Sequence, residues 1–197
     1  VEFSFGGIVL QRGDFTWNTN LNVTYVKNKV TELESDIVES GTGAANITVE
    51  GKSMAQLYLY PTAGIDKETG RRVVLLDDAN GNPTREALLV YTRGAGASVY
   101  DRTTGEKLDI NDWKAHIWGN TKPTYYGGWT NNFTWRNWDA TVFFQFSGGN
   151  KIYNGTKATT SDMRFWNNTT DVYKNAWRNP GDVATYAKPE QNDNYSN

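Results

Sequence analysis

"DFTWNTNLNVTYVKNKV", residues 14 to 30, alternates large apolar side chains with small polar ones along most of its length. Phe15, Trp17, Leu21, Val23 and Tyr25 share one parity, and Asp14, Thr16, Asn18, Asn20, Asn22 and Thr24 share the other. Successive strand side chains point to opposite faces, so the stretch reads as a β-strand with one apolar and one polar face. Two surroundings suit such a strand: a protein core with water behind it, or lipid with a polar lumen behind it. The pattern does not choose between them.

Three more strands carry the same signature. "VEFSFGGIVLQ" (1–11) places Val1, Phe3, Phe5 and Val9 on one parity and ends at a turn around Arg12-Gly13. "TYYGGWTNNFTW" (124–135) sets Trp129, Phe133 and Trp135 against Thr130, Asn132 and Thr134. "NWDATVFFQFSGG" (137–149) sets Trp138, Ala140, Val142, Phe144 and Phe146 against Asp139, Thr141, Gln145 and Ser147. Short turns at Arg12-Gly13 and Arg136-Asn137 predict two tight hairpins.

Composition agrees with an all-β chain. Apolar residues make up 38% and mean hydropathy is -0.66, yet aromatics reach 14% with 8 Trp and 11 Tyr, so rings supply the apolar surface. A net charge of -2 offers no basic stripe and argues against a nucleic-acid partner. The absence of Cys excludes disulfide frameworks and Cys-based zinc sites, and one histidine, His116, cannot assemble a His cage, so no metal or cofactor is expected. No apolar run reaches the length of about 18 residues that a membrane helix needs, which leaves β-barrel strands open. With no initiator Met or signal peptide ahead of Val1, the chain is expected to be a piece of something longer.

Connections are unequal. The expected organisation is a hairpin over 1–27, a long excursion with short strands over 28–121, a second hairpin over 122–150 and a polar loop over 151–197. Short strands are predicted at "NITVEG", "AQLYLY", "RRVVLLDDANG" and "ALLVYT". Short turns at one end and long loops at the other is the asymmetry of outer-membrane barrels. The rings obey it too: Phe15, Trp17, Trp135 and Trp138 lie near the short turns, and Tyr25, Tyr125 and Phe146 at the far strand ends, as in interfacial aromatic belts. Trp17 to Tyr25 spans roughly 20 Å of membrane normal at about 3.3 Å per residue and a tilt of about 40°. Only Thr19 and Asn131 interrupt the apolar parity, at similar distances from their turns, and a hydrogen bond between neighbouring strands would satisfy both. Four strands cannot close a barrel, so further strands must lie outside this chain.

The segments "DFTWNTNLNVTYVKNKVTEL" (14–33), "ITVEGKSMAQLYLYPTAGIDKETGRRVVLLDDANGN" (47–82), "KPTYYGGWTNNFTWRNWDATVFFQFSGGNKIYNG" (122–155) and "AWRNPGDVATYAKP" (176–189), in that order, resemble the SusC/RagA family of TonB-linked outer-membrane proteins. The resemblance implies an antiparallel transmembrane β-barrel section, four strands of a barrel of about 22, from the later part of that barrel. It also implies a plug inside the barrel, a SusD-like surface lipoprotein over its mouth, energy coupling through TonB, and import of an oligosaccharide or peptide across the outer membrane of a Gram-negative cell. On this reading Phe15, Trp17, Leu21, Val23, Tyr25, Phe133, Trp135, Trp138, Val142, Phe144 and Phe146 face outer-membrane lipid. Thr16, Asn18, Asn20, Asn22, Thr24, Thr130, Asn132, Thr134, Asp139, Thr141 and Gln145 face the lumen or plug, with plug contact favoured over direct substrate contact. Loop aromatics Tyr58, Tyr60, Trp113, Trp118, Trp166 and Trp177 are candidate ligand or partner contacts.

Other motifs have plainer readings. Arg12-Gly13-Asp14 is turn chemistry rather than an adhesion signal. "DDANGN" (77–82) lacks the bidentate Glu of a calcium loop and reads as a β-turn. Asp66, Glu68, Asp77 and Asp78 sit in turn sequences where solvation is the default, so a glycosidase pair, and enzymatic activity generally, is not expected. The alternative to a transporter is a soluble carbohydrate-binding β-sandwich, which would bury Trp17, Val23, Val142 and Phe144 against a second sheet.

Overall fold

The computed structural model describes residues 1–35, 37–40, 45–92, 95–163 and 167–189. They form mainly antiparallel sheet with two short helices, and they divide into two compact units, 1–58 with 117–153 and 59–116 with 154–197.

The first unit holds a four-stranded antiparallel sheet in the order β1 (Glu2–Arg12), β2 (Phe15–Tyr25), β12 (Tyr125–Trp135), β13 (Trp138–Gly148). Each hairpin turns in two residues: Arg12 pairs with Phe15 and Trp135 with Trp138. The left-handed backbone such turns require falls on Gly13 (φ 58°) and on Arg136 (φ 53°). The turns touch, because Asp14 O accepts from Arg136 N at 3.1 Å. Between the hairpins, β2 and β12 pair without interruption from Tyr25↔Tyr125 to Phe15↔Trp135.

One expectation for β1 needs correcting. Val9 was placed in line with Phe3 and Phe5, but the register shifts between Ile8 and Leu10, so Leu10 lies opposite Trp17. A bulge inserts one residue and resets the alternation beyond it.

The first unit also contains β3 (Ile37–Ser40), β4 (Asn46–Val49) and most of β5 (Gln56–Leu59) and β11 (His116–Asn120), in the sheet order β11-β5-β4-β3. The second unit is built on β6 (Thr62–Ile65), β7 (Arg72–Asp77), β8 (Pro83–Thr92), β9 (Gly96–Asp101) and β10 (Lys107–Leu108), ordered β10-β9-β8-β7-β6. Val74 and Leu76 of β7, Ala87 and Leu89 of β8 and Val99 of β9 form its core, with Leu108, Ile110 and Trp113 packed against them. β8 is longer than "ALLVYT" predicts, starting at Pro83 directly after the expected turn at 77–82.

The tail differs from a plain polar loop. Asn154 accepts from Lys157 N at 2.9 Å and caps α1 (Gly155–Ser161), and α2 (Thr170–Asn175) follows. Trp177 is 5% exposed and donates to Lys67 O at 2.7 Å, while Gly70 (φ 70°) lies flat against its ring and accepts from Lys188 N. The tail is thereby fastened to the excursion within one unit. No described helix is long and apolar enough to cross a membrane.

Candidate functional site

The site is the β1-β2-β12-β13 sheet, and its register sorts the side chains. On one face the cross-strand rows run Arg12–Phe15–Trp135–Trp138, Leu10–Trp17–Phe133–Ala140, Gly7–Thr19–Asn131–Val142, Phe5–Leu21–Trp129–Phe144 and Phe3–Val23–Gly127–Phe146, ending at Tyr25–Tyr125–Gly148. Rings stack across strands within rows: Trp17 on Phe133 at 5.8 Å and Trp129 on Phe144 at 5.7 Å. Phe146 leans over Gly127, whose lack of a side chain makes room for it.

The two interruptions of this face sit opposite each other. Thr19 and Asn131 are paired in register and both are buried. Thr19 Oγ1 donates to Asn131 Oδ1 at 2.9 Å, Trp17 Nε1 donates to the same oxygen at 3.0 Å, and Trp129 Nε1 donates to Thr19 Oγ1 at 2.8 Å. Two indole N–H groups, a hydroxyl and an amide carbonyl satisfy one another inside a ring-covered surface, where an unpaired polar group is costly.

The opposite face carries Thr16, Asn18, Asn20, Asn22 and Thr24 beside Thr134, Asn132 and Thr130, then Asp139, Thr141 and Gln145. Thr134 Oγ1 donates to Asp139 at 2.7 Å, Thr141 Oγ1 donates to Asn132 at 2.9 Å, and Asn22 Oδ1 accepts from Gly128 N at 3.0 Å. Sequence reasoning missed two aromatics here. Phe143 and Tyr126 stand on this face and are exposed, with Phe143 lying over Gly128. The signal was available: in Val142-Phe143-Phe144 one residue must face away from its neighbours.

Among the described residues of its own unit, nothing covers the ring-bearing face. Val142 is 42% and Phe144 52% exposed, and Trp17 and Val23, on β2, one of the two inner strands, are only half-buried. The sandwich alternative required these four residues to lie beneath a second sheet, and they do not.

The loop aromatics separate. Trp177 is structural, buried and hydrogen-bonded as described, so it is removed from the candidate contacts. Trp113 packs on the second unit's core and donates to Pro61 O at 3.0 Å, with Tyr60, well exposed, 4.8 Å away against its ring. Tyr58 is half-buried in β5 and Trp118 exposed on β11. Trp166 lies outside the described residues.

The carboxylates correct another expectation. Asp66 and Asp77 are buried rather than solvated. Asp66 accepts from Thr69 N and Oγ1 at 2.9 and 2.7 Å and pairs with Arg102 at 3.0 Å. Burial works against its charge, but the Thr69 and Arg102 hydrogen bonds outweigh that and hold the carboxyl below its ordinary range. Asp77 meets His116 Nε2 at 2.7 Å. Asp78 Oδ1 accepts from Asn80 N and Asn82 N, so "DDANGN" spends this carboxylate on its own turn. Among the described residues no group of three or more His, Cys, Asp or Glu side chains is placed to hold a metal ion.

No protein-family model matches the sequence. The chain is 26% identical over 218 residues to TonB-dependent receptor P39 of Formosa agariphila, covering 96% of this chain and 20% of that protein. It is 27% identical over 198 residues to TonB-dependent receptor P3 of the same organism, covering 90% and 18%. Among solved structures, that of the RagAB peptide transporter superposes with a TM-score of 0.68 at 19% identity, over 99% of this chain and 20% of that one. The RagAB peptide importer in its open-open state gives 0.66 at 16%, with the same coverage. The chain is thus similar to TonB-dependent receptors over nearly its whole length. The chain spans about a fifth of the length of the curated relatives it matches. At such identities the match to solved structures is one of fold.

Proposed function

We propose that this chain is a segment of a SusC/RagA-type outer-membrane transporter and forms part of its wall. In this reading β1, β2, β12 and β13 are adjacent strands of a closed transmembrane barrel of about 22. The ring-bearing residues, Phe15 through Phe146, meet lipid, and the Thr/Asn face, Thr16 through Gln145, meets the lumen and its plug. Residues 28–121 and 151–197 are extracellular loops, and Tyr58, Tyr60, Trp113 and Trp118 are their candidate contacts to a SusD-like surface lipoprotein or the cargo. TonB supplies energy through other parts of the protein, and the cargo is an oligosaccharide or a peptide.

One observation carries the reading: a single sheet layer with one exposed aromatic face whose polar exceptions, Thr19 and Asn131, bond to each other and to the neighbouring indoles, backed by a face of mostly uncharged hydrogen-bonding groups. Water is a poor solvent for the first face, and an open edge within lipid demands more strands on either side. The names of the relatives, TonB-dependent receptors, and the peptide-transporter title of the solved structures support the same assignment.

Uptake tests it. Cells carrying the full-length gene are expected to take up fluorescently labelled oligosaccharides or labelled peptides, and to lose uptake of one of these classes on deletion of the gene or on collapse of the proton gradient. Uptake of both classes that survives deletion would refute the transporter assignment.

A further inference from the structure

We infer that Thr19 and Asn131 act as a register key, fixing how the β1–β2 hairpin joins the β12–β13 hairpin. The inference rests on the lipid-facing reading proposed above, which sets the penalty for leaving either side chain unpaired.

Within each hairpin a two-residue turn dictates the pairing. No such constraint acts between β2 and β12, which are joined through residues 26–124. A one-residue slip would turn every ring toward the polar face and is excluded by the alternation itself. A two-residue slip keeps both faces intact, and most rows do not resist it. On the apolar side, Trp17 would meet Trp135 instead of Phe133, or Phe15 would meet Phe133 instead of Trp135. On the polar side, threonines and asparagines exchange for one another.

Only the Thr19–Asn131 row distinguishes the registers strongly. In the observed pairing the hydroxyl and the amide carbonyl bond directly, and the two diagonal indoles, Trp17 and Trp129, complete the chain. After a two-residue slip, Asn131 would face Trp17 or Leu21 and Thr19 would face Trp129 or Phe133, with the direct bond lost. The amide would then be unpaired among rings and hydrocarbon. A single buried asparagine selects register in coiled coils by the same logic. The Asn22–Gly128 contact and the Asp14–Arg136 contact between the turns also belong to the observed register, but they lie on the polar face and at exposed turns, where water or other polar groups can replace them.

The test is disulfide trapping in the full-length protein in its membrane. Thr16→Cys with Thr134→Cys reports the observed register, while Thr16→Cys with Asn132→Cys and Asn18→Cys with Thr134→Cys report the two slipped ones, since directly opposed side chains are within bridging distance. With Thr19 and Asn131 intact, only the first pair is expected to cross-link. With Thr19→Val and Asn131→Leu added, at least one slipped pair is expected to rise from below about a twentieth of the first pair's yield to a comparable yield. Silence of both slipped pairs in an assembled Thr19→Val/Asn131→Leu protein overturns the inference. If that protein fails to assemble, the exchange Thr19→Asn/Asn131→Thr decides. Assembly with the first pair alone cross-linking supports the key, and failure of the exchange as well overturns it. Release of the protein from membranes without detergent would refute the lipid-facing reading instead, leaving the trapping result to speak for register alone.

Discussion

Phe144→Arg in the full-length protein is expected to destabilise the barrel by about 2–4 kcal/mol, while Thr141→Arg, three residues away on the same strand, costs about 1 kcal/mol or less. Both positions are exposed in β13. In water a surface arginine would be tolerated at either. The difference comes from the proposed solvent: Phe144 lies in the second of the two central rows of the ring-bearing face, beside Trp129, where a guanidinium must be drawn into hydrocarbon or bend toward an interface. Thr141 belongs to the face that already carries Asn132 and Asp139. Phe144→Ala, which removes the ring stack without adding charge, separates lost packing from the cost of the charge. Denaturant titration of the protein reconstituted in bilayers measures all three. Equal costs for the two arginines would remove the asymmetry on which the face assignment depends.

The second large effect belongs to the loop unit. Leu76→Ala is expected to cost about 3 kcal/mol, because the side chain is fully buried among Val74, Ala87, Leu89 and Val99 and its removal leaves a cavity. Hydrogen exchange followed by mass spectrometry of peptides should show the amides of β7, β8 and β9 exchanging about a hundredfold faster, with those of β12 and β13 unchanged. The confinement follows from the division of the chain into two compact units. Unchanged protection in β7–β9 would mean that this core does not hold the excursion together.

The long strands could be read from the sequence because twelve or so residues of strict alternation leave little choice of period, and because Gly13 and Arg136-Asn137 mark the hairpin turns. The order β1-β2-β12-β13 was legible only in part. Matching positions of Thr19 and Asn131 hinted that β2 and β12 are neighbours, and the hydrogen bond between them is the physical content of that hint. Val9 was misplaced because a bulge has no signature in alternation until it has already reset it. Short strands such as β3, β6, β9, β10 and β11 were passed over, since two to six residues cannot establish a period. The burial of Trp177, Asp66 and Asp77 depends on partners far along the chain, respectively Lys67 O, Arg102 and His116, and local composition carries no trace of them. Phe143 and Tyr126 were overlooked for a different reason: attention to the dominant parity hides a ring on the other face.

The account as a whole turns on which solvent meets each face, and a spin-label scan along β13 measures that directly. Labels placed one at a time at positions 139–146 of the full-length protein in bilayers should give collision rates with dissolved oxygen that peak at Ala140, Val142, Phe144 and Phe146 and fall at Asp139, Thr141, Phe143 and Gln145. A water-soluble nickel chelate should fail to reach the first set. Oxygen accessibility without a two-residue period, or free access of the chelate to Val142 and Phe144, would contradict the account.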